Sequence, residues 1–308
     1  MSLLVVGTVA FDSIETPFGS RERILGGAAT YCALSASYLY NDIRMVSVVG
    51  RDFPEAHLQM LRNRGINTDG IQQRKDLDSF FWAGRYHRDL NTRDTLDTQL
   101  NVLAEFEPVV PADSLHCDYV MLGNLMPSLQ RKVLEQMKSR PKLVAMDTMN
   151  FWMDHFWDDL LTTLKMVDVL TVNDEEARQL SGEYSLVKAA KKILTMGPKV
   201  LIIKKGEHGA MLFDGQRIFI LPALPLEDVF DPTGAGDSFA GGWIGYLAQS
   251  DRLEHSEFKR AVVYGSALAS FTVEQFGTER LAHIAPGELE ARLAQFSELT
   301  KFDLPFKA

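Results

Sequence analysis

The 308-residue sequence holds only two cysteines, Cys32 and Cys117. Two are too few for a disulfide framework and lack metal-ligand spacing, so buried free thiols are the expectation. No apolar run approaches the roughly 18 to 20 residues needed to cross a bilayer. The chain also enters its first strand without a charged leader, which fits a cytoplasmic protein. Positive charge is scarce: 32 Lys and Arg stand against 41 Asp and Glu, a net charge of −9, which argues against a nucleic-acid or anionic-membrane partner. Two common nucleotide signatures are missing as well. No Gly-x-x-x-x-Gly-Lys-[Ser/Thr] occurs, and no Gly-x-Gly-x-x-Gly follows the first strand, so neither a P-loop kinase nor a dinucleotide enzyme fits.

What is present, at 46% hydrophobic, can bury a large core, with residues 1–308 read as one domain. Short apolar runs at 3–6, 45–49, 119–122, 143–146, 169–172 and 200–203 alternate with helical patterns at 28–39, 54–64, 129–138, 175–180 and 186–194. That alternation predicts an α/β fold, a doubly wound, mostly parallel sheet flanked by helices. Runs at 210–213 and 218–221 predict a strand pair turning at Asp214-Gly215. Polar residues follow the runs: Asp12, Asp52, Asn124, Asp147, Asn173 and Lys204-Lys205. Ligands of open α/β sheets gather at those strand ends, although strand ends meet solvent and are polar for that reason too. The segment 76–103 departs from the pattern, being polar and strand-like around Phe80-Phe81-Trp82. Together with 14–24 it predicts a small projecting β-sheet, a lid over a site or a surface for a homodimer.

The densest signal is Asp231-Pro232-Thr233-Gly234-Ala235-Gly236-Asp237. Gly234, Ala235 and Gly236 let backbone N–H groups converge at a helix start, where the helix dipole adds positive potential. Asp237 then places a carboxylate beside an anion site. That placement suits a base that takes the proton of a hydroxyl attacking the anion. An N-cap aspartate in a tight turn accounts for the same letters taken alone.

The run resembles the C-terminal signature of the ribokinase-like (PfkB) family of carbohydrate and nucleoside kinases, and the similarity continues from the first strand to about Gly277. The resemblance implies a ribokinase-like fold with a β-sheet lid, and ATP- and Mg²⁺-dependent phosphorylation of an alcohol. It makes Asp237 the catalytic base and the backbone of Gly234, Ala235 and Gly236 an anion hole. Asp12 matches the residue that grips acceptor hydroxyls, and Gly26-Gly27 the pair that hinges the lid and lets backbone approach the acceptor. Asn173 and Glu176 match an Asn-x-x-Glu motif that organises Mg²⁺ through water. Lys205, Gly206 and Gly209 resemble the nucleotide-side loop, with Lys204 and Lys205 both open as the phosphate contact. Thr233 also falls on the nucleotide side. Asp231, Thr233 and the loop at 276–278 can, in that family, hold a monovalent cation such as K⁺.

One departure bears on the acceptor. Many of these sugar kinases carry asparagine four residues after the second glycine, where this chain has Tyr31. With Phe11 and Phe81, Tyr31 makes the acceptor side aromatic, and aromatic faces stack on bases and on sugar C–H faces. The expected acceptor is a nucleoside phosphorylated at its ribose 5′-hydroxyl, with a free sugar of the ribose or fructose type as the alternative. From another class, a non-catalytic nucleotide or metabolite sensor would keep the fold and lose the need for Asp237.

Overall fold

The computed structural model of the protein describes residues 1–301. Its strands are β1 (Leu3–Val6), β2 (Ala10–Thr16), β3 (Gly19–Gly26), β4 (Ile43–Val49), β5 (Ile66–Gln73), β6 (Phe81–Tyr86), β7 (Arg93–Gln99), β8 (Tyr119–Leu122), β9 (Leu143–Asp147), β10 (Val169–Asn173), β11 (Val200–Lys204), β12 (Ala210–Asp214) and β13 (Arg217–Leu221). Among the described residues, nine of them form one sheet in the order β13-β12-β11-β10-β9-β8-β1-β4-β5. From β11 to β5 every pairing is parallel, while β12 and β13 close one edge as an antiparallel pair.

Helices cover both faces: α1 (Ala28–Ala36), α2 (Glu55–Asn63), α3 (Pro127–Gln136), α4 (Asn150–His155), α5 (Trp157–Leu164), α6 (Asp174–Ser181), α7 (Leu186–Leu194), α8 (Ala235–Ser250), α9 (His255–Thr272) and α10 (Glu288–Thr300). Because the sheet is covered twice, its central strands are apolar without alternation. Leu3 and Val5 of β1 enter the core shared with Trp243 of α8 and Phe271 of α9, whereas Leu4 and Val6 enter the core shared with Val133 of α3 and Leu160 of α5. Among the described residues no helix is long and apolar enough to cross a membrane.

The other four strands form a second sheet, β3-β2-β6-β7, whose small core joins Ile14, Tyr86 and Phe276. This is the projecting sheet expected at 14–24 and 76–103, with one correction. The strand-like alternation reads through Val102, but β7 ends at Gln99 and 101–105 turns into a short 3-10 helix. Val102 is fully buried in the main core and the Asn101 side chain donates to the Ser79 carbonyl at 2.9 Å, so these contacts pull the chain back off the lid.

Candidate active site

The signature folds as a loop leading into α8. Gly234 is the residue before the helix, in the left-handed region at φ 74°, and a side chain there would be driven into the face of the Tyr31 ring. Glycine is therefore required twice over, for conformation and for space. Beyond it, the N–H groups of Gly236 and Asp237 make no hydrogen bond among the described residues, whereas Ala235 donates to Pro232 and Ser238 to Gly234. Two amides at the positive end of a sixteen-residue helix are thus free for an anion. Asp237 is half-buried at that point. Burial pushes its carboxyl up from 3.8 to about 7, and Asp147 adds to the rise while Lys204 and Arg93 oppose it.

Asp12 lies on β2, 5% exposed and near enough for the Asp237 charge to act on it. Its carboxylate lies so close over Gly26 that any side chain there would collide with it. Burial, then the charges of Asp231 and Asp237, push it up to about 7 as well. Two carboxyls that both titrate near neutrality in one cleft are a proton-handling arrangement. Gly27, at φ 94°, starts α1 and accepts the Tyr31 N–H at 3.2 Å.

Tyr31 corrects an expectation. Its ring lies beneath Gly234 and is 1% exposed, so it is not a face on which a base could stack. Its hydroxyl is buried without a partner among the described residues. Phe11 is 4% exposed and likewise offers no open face; its buried ring lies 5.4 Å from Phe53 and 6.3 Å from His57, and these two, with Phe81, are the half-buried aromatic side chains nearby. The Arg23 guanidinium sits 4.6 Å over Phe11 and 5.9 Å from the Phe81 ring, and it is fixed by Asp52 at 2.7 Å.

On the opposite side, Asn173 and Glu176 form a reciprocal capping box at the start of α6. Glu176 N–H donates to Asn173 Oδ1 and Asn173 N–H to Glu176 Oε2, both at 2.7 Å. This satisfies two otherwise orphan amides. The cap spends the Asn173 oxygen, whereas Glu176 Oε1 makes no hydrogen bond among the described residues. Burial raises the Glu176 carboxyl, and Asp147 raises it further.

Of the two lysines left open, Lys204 enters the cleft. Its Nζ lies 2.7 Å from Asp147 Oδ2 and would be 3.1 Å from a Cβ placed on Gly236. Burial alone would lower its pKa, but Asp147 and Glu176 outweigh that and raise it. Lys205, the other candidate, makes no hydrogen bond or ion pair with Asp147; its backbone instead closes the loop, accepting from His208 and donating to Gly209. Strand alternation decides this: β11 and β10 are paired in register, Lys204 beside Asn173. Gly206 and Gly209, at φ 53° and 85°, shape that loop next to the lid.

Asp231 is fully buried, and each of its oxygens already accepts one amide: Thr233 N–H at 2.9 Å and Gly277 N–H at 2.8 Å. The carboxylate itself therefore ties the two loops together. Thr233 is tied to the lid, its hydroxyl 3.2 Å from that of Tyr86. Sequence reasoning missed Arg93 altogether, took Tyr86 only as one aromatic of the projecting segment, and passed over Asp147 as a polar strand end. Only its place at the end of β9, two strands from Lys204, makes Asp147 a member of the site.

Fold and cleft together define an enzyme that moves a phosphoryl group onto an alcohol. The chain belongs to the pfkB family of carbohydrate kinases, whose profile matches residues 3–284. It is 29% identical over 261 residues to the cytidine kinase of Thermococcus kodakarensis, covering 82% of this chain and 91% of that protein. The nucleoside kinase of Burkholderia thailandensis, solved in complex with inosine, superposes with a TM-score of 0.79 at 20% identity, over 97% of this chain and 98% of that one. A putative ribokinase II from E. coli, solved with ATP and Mg²⁺, superposes with a TM-score of 0.78 at 20% identity, over 96% and 99%. The nine-stranded sheet with its lid is the ribokinase-like fold.

Proposed function

We propose that this kinase transfers the γ-phosphoryl group of ATP to the ribose 5′-hydroxyl of a nucleoside. The reading is carried by one juxtaposition: a carboxylate poised near neutrality, Asp237, beside the free amides of Gly236 and itself at the start of α8. In the reaction, Asp12 orients the acceptor and Asp237 removes the proton of its primary hydroxyl. The amides of α8 and Lys204 hold the migrating group, so the protein contributes mainly placement and electrostatics. Lid residues over the cleft exclude water.

Among the described residues no cluster of three or more His, Cys, Asp or Glu side chains could hold a metal alone. That suits Mg²⁺, which keeps waters and binds chiefly through substrate phosphates. Glu176, through its free Oε1, and Asn173 would hold it by way of water, and the ion would neutralise phosphate charge. A monovalent cation at Asp231 and Thr233 is a further element of the proposal, and replacing potassium by tetramethylammonium tests it. So is pairing of two copies through the lid, whose edge strand β7 is exposed along its whole length; sedimentation tests that.

The acceptor reading rests on the half-buried Phe53, His57 and Phe81, packed around the buried Phe11 next to Asp12 in β2, and on the names of the relatives. A panel of cytidine, adenosine, inosine, ribose and fructose, assayed by acceptor-dependent ADP formation, decides it. Turnover of ribose or fructose alone would sink the nucleoside reading. ADP formation with no acceptor dependence would sink the kinase assignment of the site. Asp237→Asn should lower kcat by roughly a hundredfold or more while leaving ATP binding in place.

A further inference from the structure

The parallel ladder between β8 and β9 stops at the pair Leu122 and Met146. One residue further, at Gly123 and Asp147, a buried side chain takes over. Gln130 of α3 is 0% exposed. Its Nε2 donates to the Gly123 carbonyl at 2.8 Å and to the Asp147 carbonyl at 3.1 Å, with the Leu122 carbonyl at 3.4 Å. A primary amide has two hydrogens to give, so one side chain bridges both strand ends. The orientation is fixed, because the amide oxygen turned the same way would meet only carbonyl oxygens.

Gln130 Oε1, by contrast, is buried without a hydrogen-bond partner among the described residues, and an unmet buried acceptor opposes folding. A methionine would fill the same space without that penalty, so the two donors, not the volume, define what this side chain does. One residue on, the same strand ends are laced again: Asn124 donates from Nδ2 to Met149 Sδ at 3.1 Å and accepts from Trp152 Nε1 at 2.7 Å. From Asp147 the contacts run to the reaction centre. Its Oδ2 holds Lys204 Nζ at 2.7 Å, and that ammonium would be 3.1 Å from a Cβ on Gly236. The charges that act on Asp237 are those of Asp147, Lys204 and Arg93, while Asp12 on β2 and Tyr31 and Cys32 on α1 feel its charge in turn.

We propose that Gln130 is a positioning residue, whose carboxamide fixes the spacing of the β8 and β9 ends and thereby holds the Asp147–Lys204 pair against Asp237 and the free amides of α8. The inference rests on the reading of Asp237 as base. Being fully buried, Gln130 meets no ligand and acts through the Asp147 carbonyl. Without the bridge, the end of β9 is tied on one side only, by its pairing with β10 at Thr171 and Asp147. An outward shift of Asp147 draws Lys204 with it, because the two are in tight contact. The carboxylate that raises Asp237 then recedes and water reaches the base; losing Lys204 works the other way but is the smaller influence. Misplacement by about 1 Å is enough to slow a reaction about a hundredfold.

The test uses Gln130→Met in the full chain, with ADP formation from ATP and the acceptor selected by the panel. The kcat should fall by about thirtyfold while the KM for ATP changes less than about threefold. The acid limb of kcat/KM should move to lower pH. Gln130→Asn, which keeps both donors on a shorter stem, should show the same pattern at smaller size. Thr163→Val controls for lost stability, since it deletes a buried hydroxyl that donates to the Pro127 and Asp159 carbonyls between α3 and α5; its kcat and acid limb should match the parent's. In a Lys204→Met background Gln130→Met should cost less than about threefold in kcat, because the pair it acts through is already gone. A Gln130→Met kcat within about threefold of the parent would overturn the proposal. So would equal losses in both backgrounds, or a loss that leaves the acid limb in place, since either pattern describes a packing defect. Gln130→Met at the parent rate beside an inactive Asp237→Asn would remove Gln130 alone and leave the base reading standing.

Discussion

Lys204→Met removes the charge of the Asp147–Lys204 pair while keeping most of its volume. The two side chains are 18% and 7% exposed and 2.7 Å apart, so solvent screens them little. Breaking a buried pair by deleting one partner costs about 3–5 kcal/mol, because the other charge is stranded. The lower end, about 3 kcal/mol, applies here, because the cleft admits water and the Thr148 N–H still donates to Asp147 Oδ1 at 2.9 Å. In a chain of this size, 1 kcal/mol shifts Tm by about 2 °C, so Tm should fall by about 6 °C. Lys204 has its pKa raised on folding. Its contribution is therefore complete below its ordinary value of 10.5 and lost only as pH rises above that, so thermal unfolding at pH 7 reads it in full. Adding Asp147→Asn to Lys204→Met should return part of the loss, because no carboxylate is then stranded. A Tm change under about 1 °C for Lys204→Met, or strict additivity in the double variant, would refute the buried-pair reasoning.

The acid limb of kcat/KM should lie near pH 7, with a loss of about tenfold or more per pH unit below it, since burial holds Asp237 and Asp12 at about 7. A limb near pH 4 would contradict the burial argument. The same two carboxyls have folded pKa values above the unfolded 3.8, so the free enzyme should lose stability as pH rises from about 4 to 7. Asp237→Asn should remove part of that loss, giving a higher Tm at pH 8 together with lost turnover; a lower Tm would contradict the sign. Glu176→Gln keeps a side chain able to cap Asn173, so Tm should stay within about 1 °C. The Mg²⁺ concentration for half-maximal rate should rise by about tenfold, and an unchanged requirement would make Glu176 a cap only.

Residue patterns carried the parallel strands well because those strands are buried on both faces and read as continuous apolar runs. They failed at β5, Ile-Asn-Thr-Asp-Gly-Ile-Gln-Gln, which is an edge strand with polar residues throughout and therefore has no such run. Helices α4 and α5 were missed for the opposite reason. Phe151, Trp152 and Phe156 crowd against one another in a segment too aromatic and too short to show helical periodicity. At the site, Asp12, the Gly26-Gly27 turn and the signature from Asp231 to Asp237 were legible as contiguous motifs. Tyr31 was legible as a departure, but its direction was not. Whether an aromatic ring faces a ligand or props a glycine depends on the neighbour across the fold, here Gly234. Lys204 and Lys205 are adjacent letters, but the first ends β11 beside Asn173 and the second already belongs to the loop beyond it.

Arg93 had no local signal and Asp147 only that of one polar strand end among six, because their importance is electrostatic and arises from distant segments. Asp147 raises Asp237, Lys204 lowers it, and Arg93 lowers it again. Asp237, the proposed base, is therefore raised by burial and tuned by one carboxylate from β9, one cation from β11 and one cation from the lid. Were all three fixed, the pKa would be fixed too. One of the three, Arg93, is on β7 of the smaller sheet, so Asp237 is tuned from both sheets. Arg93→Ala should therefore leave Asp237 harder to ionise and move the acid limb of kcat/KM to higher pH; an unmoved limb would remove Arg93 from that tuning.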